Sequence, residues 1–116
     1  MLTNNTINFL SNTFKDKYSH IALGTNNTPE AITDTSLVEE VIRESSENTI
    51  VTTSTLNDTV QFFKQFNITN ATTFEEFGLL DAETEGNLFD RIVTPDVIVG
   101  NNQIINVQFN IITKEI

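Results

Sequence analysis

Ile105, Val107, Phe109 and Ile111 alternate with Asn106, Gln108 and Asn110. Successive side chains of a β-strand point to opposite faces, so this stretch has one apolar side and one polar side. A helix repeats every 3.6 residues and would scatter the same apolar side chains around its circumference. The pattern therefore requires a half-buried antiparallel sheet.

The same period returns earlier. Val60, Phe62, Lys64, Phe66 and Ile68 alternate with Gln61, Phe63, Gln65 and Asn67, which predicts a strand over 60–68. Residues 20–25, 49–56, 74–80, 88–94 and 104–113 read as further strands. In the segment 74–80, Phe77 and Leu79 fall on one face and Phe74, Gly78 and Leu80 on the other. Apolar residues on both faces predict a central strand covered on both sides. Pro95 has no N–H for a ladder and is expected to end the strand before it. Asn57-Asp58, residues 81–87 and Gly100-Asn101-Asn102 are turn signals. Residues 26–35 form a polar loop around Pro29, and 36–46 read as a short turn or helix leading into an extended segment.

Residues 2–18 read as a helix, because Ile7, Leu10, Phe14 and Tyr18 form one apolar stripe. Thr3 or a neighbouring Asn is placed to cap its start, and Lys15 and Lys17 suit the negative end of its dipole. The stripe either packs on the sheet or docks the subunit to a neighbour. Ile7, Leu10, Phe14 and Tyr18 are thus the candidate partner contacts. The expected fold is mostly β: an antiparallel, Greek-key-like β-sandwich with one N-terminal α-helix. It forms a single domain over 1–116, with the helix in 1–18 and the sandwich in 19–116.

Composition narrows the function. The formal charge is −10, from six basic and sixteen acidic groups. Binding of nucleic acid or anionic lipid needs a concentrated positive patch, so neither is expected. The chain has no Cys, hence no disulfide and no thiolate metal site. Its amino terminus lacks a basic region followed by an apolar stretch, and no apolar run is long enough to cross a bilayer, so neither a signal peptide nor membrane insertion is expected. Nine Phe and no Trp make Phe the main source of core contacts.

No catalytic constellation stands out. His20 is the sole histidine, so a His-based triad or multi-His metal site would need several copies meeting on an axis. Asp81-x-Glu83-x-Glu85-Gly86 begins like a calcium loop, but the twelfth position is Ile92 rather than a bidentate Glu. A hairpin turn accounts for it. Paired carboxylates such as Glu39/Glu40 and Glu75/Glu76 are neighbours in sequence, and neighbours in a strand point apart. Phe62, Phe63 and Phe66 could form a carbohydrate surface, yet most Phe should lie in the core. No enzyme, cofactor or metal is expected.

Two segments together resemble a family. Ile21-Ala22-Leu23-Gly24-Thr25, then Pro29, Asp34-Thr35-Ser36-Leu37 and the stretch from Glu40 to Arg43 look like the opening of bacteriophage tail-fibre and tail-collar-type structural proteins. There "IALGTG", a short loop and "DT-x-L" lead to an acidic-basic strand start. Phe74-Glu75-Glu76-Phe77-Gly78-Leu79-Leu80-Asp81, followed by Gly86 and Leu88-Phe89-Asp90-Arg91, is similar to the family's "I-x-E-x-G-L-F-D" strand and "L-x-A-R" return strand. Asn26 stands in place of the usual second Gly, Asp90 in place of a small residue, and Pro95 is not doubled. The likeness spans 19–112 and singles out Gly24, Asp34, Gly78, Asp81 and Arg91 as structural motif residues. It implies a virion component, assembled in the host cytoplasm at a tail tip, fibre base or collar. Its partners would be other virion proteins, with copies of itself as a trimer. A receptor- or glycan-binding fibre head and a capsid decoration or head-fibre protein are the alternatives, with a hydrolase behind them. Read from the residues themselves, Gly24 should allow a positive φ, and Gly78 a close backbone approach or bulge. Glu76 and Arg91 are placed for a cross-strand ion pair, worth only ~0–1 kcal/mol if exposed.

Overall fold

The computed structural model describes residues 1–114 and arranges them in one helix and seven strands. The helix α1 is Asn4–Lys17. The strands are β1 (His20–Gly24), β2 (Glu40–Ser45), β3 (Glu47–Val51), β4 (Thr59–Ile68), β5 (Thr72–Leu80), β6 (Leu88–Val99) and β7 (Gln103–Ile112). They form two antiparallel sheets, ordered β2-β1-β5-β6 and β3-β4-β7. The sheets share a core that includes Ile21, Leu23, Phe62, Phe66, Phe77 and Leu79. The architecture is the mostly β, sandwich-like one that the alternation implies, with a single N-terminal helix. The chain passes between sheets at Ser46, between β4 and β5, and between β6 and β7. Ser46 is the lone residue separating β2 from β3, and its N–H donates to the Ser19 carbonyl at 2.8 Å where the chain bends.

β4 and β7 pair over ten residues without a register shift, from Thr59↔Ile112 to Ile68↔Gln103. Val107 and Phe109 enter the core, while Asn106, Gln108 and Asn110 remain exposed. Each buried Phe of this core contributes about 1.5–3 kcal/mol by leaving water. Lys64 interrupts the apolar series of β4. Lys64 is half-buried, and its ammonium lies 3.9 Å from Glu44 of β2. As expected, β5 is central and buried on both faces.

Three local expectations are corrected. The strand expected over 49–56 starts at Glu47 and stops at Val51, because the Asp58 carboxylate collects the N–H groups of Thr53, Ser54 and Thr55 and curls that segment into a loop. Residues 36–39 bend without forming a helix and lead into the expected extended segment, β2, at Glu40, with Leu37 buried on the way. Pro95 does not end β6, which runs on to Val99. β6 is an edge strand, and Pro95 sits in a bulge where Glu75 opposes residues 94–96 and Asp96 takes a φ of 40°. The same shift rotates Phe74 into the main core beside Phe77 and Leu79 rather than onto the opposite face.

Thr3 caps α1 by accepting the Thr6 N–H at 3.2 Å, and Lys15 and Lys17 occupy its last turn. Ile7 is buried, Leu10 is half-buried, and Phe14 and Tyr18 pack against the main core. Phe14 and Tyr18 also meet Phe89 of β6 at ring-centroid distances of 5.7 and 4.6 Å. Two polar groups fasten the helix. Buried Ser11 donates to the Asn57 carbonyl at 2.7 Å. Asn48 Nδ2 donates to the carbonyls of Lys15 and Tyr18 at 2.9 and 2.8 Å, satisfying groups that a helix end leaves open. The apolar stripe is therefore used within its own chain, and Phe9, 67% exposed, is the large apolar residue α1 turns outward. Replacing Asn48 with Ala should lower stability by about 1–3 kcal/mol in urea unfolding followed by circular dichroism, since both carbonyls lose their donor. An unchanged midpoint would show that the helix is held by its apolar stripe alone.

Candidate functional site

On the outer face of the four-stranded sheet, Ala22 and Gly24 of β1 lie opposite Gly78 and Glu76 of β5, and Gly78 lies opposite Arg91 of β6. Residues 25–39 cross this face as a strap. Leu37 of the strap is buried against Ala22 and Leu80, with Leu88 at the margin. A side chain at position 78 would collide with it, since a Cβ there would stand 2.8 Å from Leu37 Cδ2. Gly78 thus allows the close approach expected of it.

At the centre lies Glu76, fully buried. Its Oε1 accepts the Val38 N–H at 2.8 Å and Arg91 Nε at 2.9 Å. Its Oε2 accepts the N–H groups of Glu39 at 2.7 Å and Asn26 at 3.2 Å. Burial alone would raise this carboxyl, but the Glu39 and Val38 N–H groups, Arg91 and the Asn26 N–H outweigh it and hold the pKa below the usual value. Arg91, 4% exposed, donates from its two other nitrogens to Asp34 Oδ2 at 3.2 Å and the Thr28 carbonyl at 3.0 Å. Asp34 also accepts the Ala31 N–H at 3.0 Å. One buried pair therefore grips both ends and the middle of the strap. Gly24 is not at positive φ, contrary to expectation. Its lack of a side chain makes room: a Cβ there would sit 2.5 Å from Glu76 Oε2 and 2.6 Å from the Glu39 carbonyl.

A second clamp holds the hairpin of residues 81–87. Arg43 forks onto Glu40 at 3.0 and 2.7 Å and donates to the carbonyls of Ala82 and Glu85 at 3.0 and 2.8 Å. Asp81 accepts the backbone N–H and side-chain amide of Asn87 at 2.6 and 3.0 Å, and Lys17 of α1 at 3.1 Å. These contacts, the Asn87 backbone first, lower its pKa to about 2. Gly86 turns the chain at a φ of 75°, so the calcium-like string is a hairpin. Among the described residues, no group of three or more His, Cys, Asp or Glu could hold a metal ion.

Between the strap and β6 lies an open cleft of about 380 Å³, lined by Glu30, Ile32, Asp34, Phe89, Asp90 and Arg91. Glu30 accepts the Val93 N–H at 2.9 Å. Burial and then the charge of Glu30 raise the Asp90 carboxyl, and the Arg91 N–H opposes them.

The structure gathers Gly24, Asp34, Gly78 and Arg91 around one clamp and gives Asp81 to the adjacent hairpin. Ile7, Leu10, Phe14 and Tyr18 belong to the docked helix. His20 is half-buried with Nδ1 2.8 Å from Ser19 Oγ, and Phe62 and Phe66 are buried beyond reach of any sugar. The sequence reading missed the ties made by Arg43, Thr28 and Glu30. A usable signal existed for Arg43, since the chain has only two arginines and both sit in motif segments. Among the described residues, no helix is long and apolar enough to cross a membrane. Neither the comparison with models of known protein families nor the search of curated proteins finds a match to this chain.

Glu76→Gln leaves Arg91 short of its main counter-charge and turns an amide donor toward backbone donors. It should cost about 3–5 kcal/mol in chemical denaturation, whereas an exposed pair would cost under about 1 kcal/mol. Acid should act through the same groups. The depressed carboxyls of Glu76 and Asp81 stabilise the fold above their unfolded-state values, and that stability is lost as pH falls through the folded-state values. For Asp81 the window runs from 3.8 down to about 2. Asp90 and Glu75 are raised, so their protonation acts in the opposite direction. Asp81→Asn should flatten the acid limb of a stability–pH curve within that window, and an unaltered limb would remove Asp81 from the account.

Proposed function

We propose that this chain is a noncatalytic structural or adaptor subunit of a tailed virus, located at the tail tip, fibre base or collar. The observation that carries the reading is the fate of the motif residues. Gly24, Asp34, Leu37, Glu76, Gly78 and Arg91 meet in one clamp, and the polar groups among them are bonded within the chain. A motif used in this way fixes surface shape rather than performing chemistry. The clamp makes a rigid plate of the strap and the four-stranded sheet. The strand edges, the loops and the outward side of α1 around Phe9 then offer fixed surfaces to neighbouring virion proteins. Uncharged Asn and Thr on these surfaces suit hydrogen-bonded, wet interfaces. Electron microscopy of the particles that carry the chain is the test. The strap-covered sandwich should fit density at the tail, and purified particles without the chain would overturn the reading.

A hydrolase reading draws on one observation, the raised Asp90 carboxyl beside Glu30 in an open cleft. Glu30 is already bonded to the Val93 N–H, and, among the described residues, the cleft brings no further acid or base beside Asp90 than Glu30 and Asp34. The purified chain should therefore release no sugar from a panel of bacterial surface polysaccharides. Turnover that Asp90→Asn abolishes would replace the structural reading with the enzymatic one.

A further inference from the structure

The four sheet edges are not alike. β6 carries Pro95 and a bulge, and Glu30 occupies the Val93 N–H. β2 has six residues including Glu40, Arg43 and Glu44, and β3 has five beginning with Glu47. Charge, brevity, proline and bulges are the devices by which edges avoid pairing with other chains. β7 has none of them. It runs ten residues, Gln103–Ile112, in unbroken register with β4 on one side and, among the described residues, with no strand on the other. It contains no charged residue, Gly or Pro.

Its sequence is also symmetric. Ile104-Ile105-Asn106-Val107-Gln108-Phe109-Asn110-Ile111-Ile112 reads nearly the same in both directions about Gln108. We infer that β7 pairs antiparallel with β7 of a second copy, about a two-fold axis through Gln108, joining two three-stranded sheets into one of six strands. In that register Ile104 faces Ile112, Asn106 faces Asn110 and Gln108 faces itself on the outer surface. On the core side Ile105 faces Ile111 and Val107 faces Phe109. Like meets like at nearly every step, and such cross-strand pairs are the unit of sheet stabilisation. A two-fold contact uses one patch twice, so a self-complementary strand satisfies it without a second surface. Ile105 and Ile111 are half-buried in the single chain, and Ile104 and Ile112 are 55% and 50% exposed. All four gain cover in the pair. Charge selects the same edge. Two chains of −10 repel, and β7 is the long edge along which they meet without opposing charged side chains. The inference stands apart from the viral reading and differs from the trimer that the family resemblance implies.

The Cys-free chain makes a symmetric cross-link a direct test. Across the axis the Cα atoms of residue 108 would lie about 4.5–5.5 Å apart, within disulfide reach. Gln65 on β4, opposite Asn106, would lie about three strand spacings across and four residues along from its counterpart, or ~20 Å away. Under mild oxidation Gln108→Cys should form a covalent dimer and Gln65→Cys should not. Light scattering should give the native chain a mass of twice 13.0 kDa or a multiple of that pair. Gln108→Lys, which sets two like charges across the axis, should halve that mass with an unchanged circular dichroism spectrum. A monomeric native chain overturns the inference, as does an oligomer in which Gln108→Cys cross-links no faster than Gln65→Cys. Either result leaves the location of the chain in a particle untouched.

Discussion

Burying a carboxylate and a guanidinium costs several kcal/mol per ion before their attraction is counted. Glu76 and Arg91 meet that cost with hydrogen bonds on all sides. Glu76 accepts three backbone N–H groups and one guanidinium N–H, and Arg91 donates to two carboxylates and a carbonyl. Nearly all of these partners belong to residues 25–39, so the pair converts a loop with little apolar content into a fixed layer. Leu37 then seals Ala22 and Leu80 from water, and Gly24 and Gly78 leave the space that the layer occupies.

The same logic recurs on a smaller scale. Arg43 and Asp81 hold the hairpin of residues 81–87, Asp58 gathers the loop before β4, and Asn48 holds the end of α1. The chain is only 38% apolar and has no disulfide. Buried and half-buried polar side chains bonded to backbone groups here perform the ordering of loops that cross-links perform in other small domains. Depressed carboxyls at Asp58, Glu76 and Asp81 follow from this use, because each is held charged by N–H donors.

The alternating strands were legible because side-chain direction and burial repeat together. β4 and β7 lie where Val60–Ile68 and Ile105–Ile111 demand. The helix was legible from its stripe, but not the choice between its own sheet and a neighbour, which rests on Asn48, Asn57 and Phe89 far away in sequence. The early end of β3 depends on one carboxylate, and the passage of β6 through Pro95 depends on its position at an edge. Neither is a local property. At the candidate site the motif residues were legible as a set, whereas the burial of Glu76 and Arg91 was not, because strand alternation says which face a residue takes and not what covers it. The strap that covers them is polar and carries no periodic signal.

If the buried pair fixes the strap, the amides it holds must be shielded from solvent as core amides are. Native-state hydrogen exchange at Asn26, Val38 and Glu39, read residue by residue by NMR, measures that directly. Protection comparable to that of β1 and β5 is the outcome the account requires. Exchange as fast as that of exposed loop amides such as Glu83 would mean that the strap opens freely, and the clamp would not be the element on which the surface depends.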